Sequence, residues 1–492
     1  MNMKPVAYPE ELGISSLAIE AFLDGARDKG LDFHSVMVLR HGRVAVALNW
    51  APYELTRPHT LFSLSKSFCS AAAGFAVAEG LLSYEDKVLD VLADKAPEEP
   101  DERLAQVTLR HLLTMSSGLE PKSDTRLLRT QDWVKRALSC RVDHEPGTHF
   151  NYNTTSTYLV SAMVQKVTGQ TVRDYLMPRL FDKLGIIKPQ WEVCPMGITA
   201  GGYGLHLSCQ DIAKFGQLLL QDGVWNGEQV LPAGWVKQAT AKAIETVQTP
   251  EDSDWAQGYG FQFWRTRGGR YRGDGMFGQI CLVDEAQDMV IAVTAGLNDM
   301  GAEMDLIKDT LLASVAMQPA SAARQKAVQK RMARLQYALP ASDGTGHDLT
   351  GSYLAAGNRR LMLDQRADGR LVINLYQQGR YPVNFWFTVQ PGQPYRGEQA
   401  WFTPLEAPEP YVGSCSWQDG VLHVEVRMPG APYVFTGKLT PRGRDVHLTL
   451  SGAGAPSADT TKLLPYVQLW LRAGDRIDTT QYLADPSLVA TP

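Results

Sequence analysis

Apolar and polar positions change their period several times along this chain. Over residues 14–30 the apolar side chains recur at helical spacing and stop at Gly30, which predicts an amphipathic helix. SVMVLRHGRVAVAL (35–48) follows as two β-branched runs joined at His41-Gly42, a hairpin signal. From about residue 61 to 240 helical patterns dominate, at 61–80, at 84–94, in TLRHLLTM from Thr108, from Tyr158 to Gly169 and from Asp211 to Gly223. Ser208 and Asp211 before the last of these are spaced as a capping box. Strands return at GYGFQFW (258–264), QICLVDE (279–285) and MVIAVTAG (289–296), and a helix over 301–316 closes the unit. Strands at both ends with helices between predict an α+β fold whose first and last segments share one sheet.

The pattern shifts after Gln318. PASAARQKAVQKRMARLQYALP reads as a charged connecting helix, and from about Gly346 onward the chain reads as β. RRLMLDQRADGRLVINLY and SCSWQDGVLHVEVRM both alternate and are both broken by Asp-Gly, a strong hairpin cue. The expected organisation is an α+β unit over 1–318, a helical linker over 319–345 and an all-β barrel or sandwich over 346–492.

Composition narrows the function classes. A length of 492 residues implies at least two domains, and a net charge of -5 leaves no broad basic face for nucleic acid. The N-terminus, MNMKPVAYPEELGISS, has no apolar leader core, and no run of ~18 or more apolar residues occurs, so a cytoplasmic protein with no membrane partner is expected. Six cysteines, Cys69, Cys140, Cys194, Cys209, Cys281 and Cys415, are scattered singly and read as reduced, mostly buried thiols. The ten histidines form no close ligand pair; His144 and His149 precede Tyr152 and read as surface or capping residues. The acidic APEEPDE loop reads as a solvated segment. Gly273, Gly275 and Gly278 spell G-x-G-x-x-G, but the strand-like QICLVDE follows where a dinucleotide fold needs a helix N-terminus. Phosphate-cradling, zincin and α/β-hydrolase motifs are absent, and no metal or organic cofactor is expected.

One charge stands out. Between Leu61 and Ala78 the most apolar helix of the chain carries only Lys66, three residues after Ser63. On a helix the two share a face, with Ser63 near the N-terminus, where free N–H groups favour developing negative charge. An ammonium held in apolar surroundings loses hydration, so such a lysine accepts or relays a serine proton near neutral pH. The alternative is a capping serine and a lysine that reaches solvent. Context decides for the nucleophile, because this S-x-x-K match opens the most apolar helix and is the only one in the chain.

TLFSLSKSFCSAAAGFAVAEGLLSYEDKV, TLRHLLTMSSGL, EPGTHFNYNTTSTYLVSAMVQKVTG and GLHLSCQDIAKFGQLLLQDGVWNGEQVLP occur in that order. Together they resemble the serine β-lactamase and penicillin-binding-protein superfamily, over roughly residues 8–316. The branch is the class C-like serine hydrolases, which include esterases, D-peptidases and 6-aminohexanoate-dimer hydrolase. The resemblance implies a β-lactamase/transpeptidase-like domain in which Ser63 is the nucleophile, Lys66 its lysine and Tyr152 the general base or proton shuttle. A phenol is a poor base near neutral pH unless a cation stands beside it, and Lys66 would be that cation.

Two departures bear on substrate. The family's Y-x-N becomes Tyr152-Asn153-Thr154, which puts Thr154 at the third place and turns Asn153 elsewhere. The family's K-T-G or H-x-G strand becomes Gly273-Asp274-Gly275, whose first position carries no cation. A neutral ester, amide or peptide-like small molecule then fits better than a carboxylate, unless Arg270 or Arg272 supplies the charge. The resemblance further implies an oxyanion hole from the N–H groups of Ser63 and about Met276. Trp255, Tyr259 and Phe277 flank that third element and read either as walls of an apolar acyl pocket or simply as core. The expected activity is hydrolysis through an acyl-enzyme on Ser63; acyl transfer from the same intermediate, or a non-catalytic binding protein on this fold, are the alternatives. By analogy with β domains in some family members, the C-terminal unit is expected to be lipocalin-like and to restrict access to the pocket.

Overall fold

The computed structural model describes residues 3–120, 127, 130–246, 253–355, 359–377, 383–399, 409–442, 445–452 and 487–490. The chain forms two compact units, residues 1–49 with 54–335 and residues 50–53 with 336–492.

The first unit is built on a six-stranded antiparallel sheet in the order Arg43–Asn49, Phe33–Arg40, Met289–Ala295, Gln279–Asp284, Arg270–Gly275, Trp264–Thr266. The two sequence ends therefore do share a sheet, with Val36 opposite Val293 and Val38 opposite Ile291. The first hairpin turns at His41 (φ 51°) and Gly42 (φ 67°), the two positive φ values a tight two-residue turn requires. Gln279–Asp284 and Met289–Ala295 are buried at every position, so both faces of the central strands are covered. One cover is the helix Cys209–Leu220, which approaches so closely that a Cβ on Gly216 would lie 2.5 Å from Val290. Phe22 of the helix Ser16–Asp28 packs on Phe33, with ring centroids 4.9 Å apart. A helical subdomain between the strand groups centres on the helices Ser65–Ala78 and Thr154–Thr168.

Three elements differ from their sequence expectation. GYGFQFW is not a strand from 258: Tyr259 makes only isolated bridges, to Ile244 and Trp264, the strand begins at Trp264, and Gln262 has φ 63°. The backbone groups before it are taken by helices instead, Ser67 Oγ donating to the Gln262 carbonyl (2.9 Å) and Ser70 Oγ to that of Phe261 (2.7 Å). The 84–94 helix shrinks to Val88–Val91 and a 3₁₀ turn at Ala93–Lys95, because Val88 N–H is held by the Val107 carbonyl at 2.9 Å. The 301–316 helix is regular only over Met300–Ile307 before it loosens into wider and tighter turns, and the linker is helical only over Ala322–Met332.

In the second unit ten strands from Gly351–Ala355 to Ser487–Ala490 form a half-barrel sheet, mostly in chain order and antiparallel. The exception is a parallel link at Gln390–Ser414 and Pro391–Cys415. Asp419 (φ 51°) and Gly420 (φ 75°) form the tight turn that the Asp-Gly signal predicts. Among the described residues no hydrogen-bonded pairing joins the first and last strands into a closed barrel.

The Cys209–Leu220 helix also provides a test of local stability. Ser208 Oγ accepts from Asp211 N–H at 3.1 Å, and the Asp211 carboxylate accepts from both the Ser208 hydroxyl (2.7 Å) and its N–H (3.3 Å). Ser208→Ala is expected to cost about 1 kcal/mol, seen as a lower urea midpoint with an unchanged slope.

Candidate active site

Ser63 lies in a 3₁₀ turn, Phe62–Leu64, that leads directly into the helix Ser65–Ala78. Small side chains let this helix sit deep: Ala71, Ala72 and Ala73 are fully buried, and a Cβ on Gly74 would strike the Trp235 ring at 2.3 Å. Lys66 is carried inward with them and is 1% exposed. Its ammonium donates to Ser63 Oγ (2.9 Å), to the Gly202 carbonyl (2.9 Å) and to Thr154 Oγ1 (3.3 Å), and lies 5.0 Å from the centroid of the Tyr152 ring. The lysine does not reach solvent; folding gathers Ser63, Lys66, Tyr152 and Thr154 at one point.

Each partner is fixed locally. Asn153 turns away from the site and caps the helix Thr154–Thr168, its Oδ1 accepting from Ser156 N–H at 2.8 Å. That cap sets Thr154 as the first helical residue, facing Lys66. Gly202, unmarked by sequence reasoning, is confined on two sides: a Cβ there would lie 2.5 Å from Thr154 Cγ2 and 3.4 Å from Lys66 Nζ. Its neighbourhood in the GGYG run is the only sequence signal it gives. Tyr152 stacks on Trp264 (5.4 Å, 24°), a residue that the strand reading had hidden, and meets Tyr259 edge-on (6.1 Å). Tyr259 itself is 1% exposed, a core residue rather than a pocket wall.

The strand Arg270–Gly275 closes the site from the sheet side. A Cβ on Gly275 would lie 2.1 Å from the Leu61 carbonyl, and one on Gly273 would lie 2.5 Å from Leu64 Cδ1 and 2.6 Å from Ser67 Oγ. The two glycines let the strand rest on the turn that carries Ser63; a side chain at 273 would have to push aside the Leu64 and Ser67 side chains, and one at 275 would meet backbone. Position 274 therefore faces the opposite way. Asp274 Oδ2 accepts from Trp255 Nε1 (3.0 Å) and Arg272 Nε (3.1 Å), and burial pushes its carboxyl up, against the pull of Arg272. Arg272 is fully buried on Asp274 and lies over the Trp255 ring (4.7 Å), while Arg270 pairs with Asp284 at 2.6 Å. Both arginines are thus committed inside the protein, and neither replaces a cation at 273.

Beyond Gly275, Met276 is exposed at the tip of the turn into Gln279–Asp284. Phe277 is not a free wall either: its ring packs edge-on against Phe62 at 5.2 Å. Both aromatic residues have left-handed backbones, φ 47° at Phe62 and φ 67° at Phe277, beside the two candidate oxyanion donors.

Elsewhere, folding creates a histidine pair the sequence does not announce: His34 Nδ1 and His59 Nε2 are 3.0 Å apart and buried. His144 and His149 stack at 4.1 Å. Among the described residues no group of three or more His, Cys, Asp or Glu is placed to hold a metal, and no helix is long and apolar enough to cross a membrane. All six cysteines are free and buried.

A family model described as Beta-lactamase matches residues 21–317, more than half of the chain. The chain belongs to the beta-lactamase family. Within it, the chain is 25% identical over 276 residues to 6-aminohexanoate-dimer hydrolase of Paenarthrobacter ureafaciens, covering 52% of this chain and 70% of that protein. It is 25% identical over 239 residues to penicillin-binding protein 4 of Amycolatopsis lactamdurans, covering 41% of this chain and 62% of that one. Among solved structures, EstCE1, "a hydrolase with promiscuous acyltransferase activity", superposes with a TM-score of 0.50 at 16% identity, over 61% of this chain and 98% of that one. At that identity the likeness speaks for the beta-lactamase fold alone.

Gly275→Ala tests the close approach. Because the obstructing atom is backbone, the substitution is expected to cost ~2–3 kcal/mol in urea unfolding, against the smaller penalty of a site with room to relax.

Proposed function

We propose that this protein is a serine hydrolase that cleaves an ester or amide bond through an acyl-enzyme on Ser63. The observation that carries this reading is the 2.9 Å contact between Lys66 Nζ and Ser63 Oγ in a site where Lys66 is 1% exposed. Membership of the beta-lactamase family and a relative named as a hydrolase support it.

In the proposed reaction Lys66 reacts as the neutral amine, after the resting ammonium has released one proton: Ser63 Oγ bonds to the substrate carbonyl carbon while its proton passes to Lys66 Nζ. The carbonyl electron pair moves to oxygen, which the N–H groups of Ser63 and Met276 receive. As the tetrahedral species collapses, the bond to the leaving oxygen or nitrogen breaks, and the proton travels by way of the Tyr152 hydroxyl to that atom. Water then repeats the sequence on the ester, releasing the acid and restoring Ser63. Thr154 and the Gly202 carbonyl hold Lys66 Nζ beside the serine and 5.0 Å from the centroid of the Tyr152 ring.

The preferred substrate is a neutral acyl ester or amide. Position 273 carries no cation and is crowded by Leu64 and Ser67, and Arg270 and Arg272 are each paired with an acid. A carboxylate-bearing substrate would find no cationic fork at 273 to hold it.

Ser63→Ala is expected to abolish fluorophosphonate labelling and to lower kcat on p-nitrophenyl butyrate by at least ~10³-fold. Wild type that labels no faster than this variant would exclude catalysis and leave a binding protein. On the wild type, kcat/KM for that ester is expected to exceed that for a chromogenic cephalosporin by more than ~10-fold, a difference of ~1.4 kcal/mol in transition-state stabilisation. Equal values would refute the charge argument. An added alcohol or amine that captures the acyl group without slowing its release would reassign the enzyme as an acyltransferase.

A further inference from the structure

One buried acid has no place in the chemistry above. Glu303, in the helix Met300–Ile307, is fully buried, and neither Oε1 nor Oε2 has a hydrogen-bond partner. A carboxylate is stable in such a place only when paired, so this one is held as the uncharged acid. Burial, reinforced by Asp274 and opposed by Arg272, pushes it up to about 8.

Its position relates it to the site. A Cβ on Gly278 would lie 2.9 Å from both Glu303 oxygens, so the carboxyl lies flat against that glycine. Gly278 ends the Met276–Phe277–Gly278 turn, whose first N–H is the proposed oxyanion donor. The turn is held otherwise by Leu297 N–H on the Phe277 carbonyl (3.2 Å), by Gln279 Nε2 on the Met276 carbonyl (3.2 Å) and by the Phe277 ring on Phe62. The charged groups acting on Glu303 are Asp274 and Arg272, both on the strand Arg270–Gly275. On its own helix Asp299 is used as the N-cap of Ala302 and Asp305 pairs with Arg267, while the helix Ser16–Asp28 meets this one through Gly25 and Leu306.

We propose that Glu303 is a positioning residue for the 276–278 turn, its uncharged carboxyl packing against Gly278 and its ionisation driving that turn away from Ser63. The physical cause is hydration. A proton lost from Glu303 leaves a charge on a carboxylate whose two oxygens accept no hydrogen bond, and the backbone that must yield to admit water is the glycine pressed against it. The consequence for turnover rests on the acyl-enzyme reading; the movement of the turn does not.

Two measurements test this on the full-length protein. The rate of fluorophosphonate labelling of Ser63 is expected to fall about 30-fold between pH 7 and 9.5 in wild type, as one proton with a midpoint near 8 is lost. In Glu303→Gln, normalised to its own rate at pH 7, the fall is expected to be less than ~3-fold, since the amide cannot ionise. An alkaline fall retained in that variant overturns the proposal. Amide hydrogen exchange of a peptide spanning 276–279, corrected for its intrinsic pH dependence, is expected to quicken ~10-fold or more over the same range in wild type and not in Glu303→Gln. Absence of that quickening in wild type overturns the proposal without need of any variant. Quickening in a protein that Ser63 reagents never label would sink the hydrolase reading and leave the Glu303 contact standing.

Discussion

The first unit is organised around an ammonium group removed from bulk water. A lysine 1% exposed at the start of an apolar helix is tolerable only if oxygen atoms replace its hydration shell, since an uncompensated buried charge costs on the order of several kcal/mol. The acceptors come from three separate parts of the chain: the hydroxyl one turn earlier, the first residue of the Thr154–Thr168 helix, and the carbonyl of Gly202. Each must arrive within hydrogen-bond distance at once. The Asn153 cap, the crowded glycine at 202 and the small-residue face of the Ser65–Ala78 helix are what make that arrival possible.

The same close packing limits what the site can bind. Gly273 and Gly275 bring the end of the strand Arg270–Gly275 onto the turn that carries Ser63, and a side chain at 273 would press on Leu64 and Ser67. The compensating arginines are present in sequence and absent in effect, because the low-dielectric interior has already paired each with an acid. The electrostatics beside Ser63 are therefore set by close packing at one glycine as much as by the identity of the charges nearby.

The turn beyond Gly275 carries one left-handed aromatic residue, Phe277, packed on a second, Phe62, in the turn of Ser63, and rests against a carboxyl group whose oxygens accept no hydrogen bond. Strain and an unsatisfied acid seldom sit together by packing alone; both oppose stability, and both lie beside the atoms that would meet a developing oxyanion. The rigid sheet on one side and the buried ammonium on the other leave this turn as the part of the site whose position a single proton can change.

Much of this was legible in the residues themselves. Periodicity and turn chemistry are local properties, so the hairpin at His41-Gly42, the capping box at Ser208 and Asp211 and the Asp419-Gly420 turn follow from sequence alone, and the three-residue spacing of Ser63 and Lys66 marks the candidate nucleophile. What the sequence could not decide were relations between distant segments. Gln262 leaves its strand because helix side chains claim its backbone, Arg272 is spent on Asp274, Trp264 becomes the platform for Tyr152, and His34 meets His59. Glu303 reads in sequence as an ordinary acid near a helix start; only the fold, by closing every route to water around it, makes its proton matter.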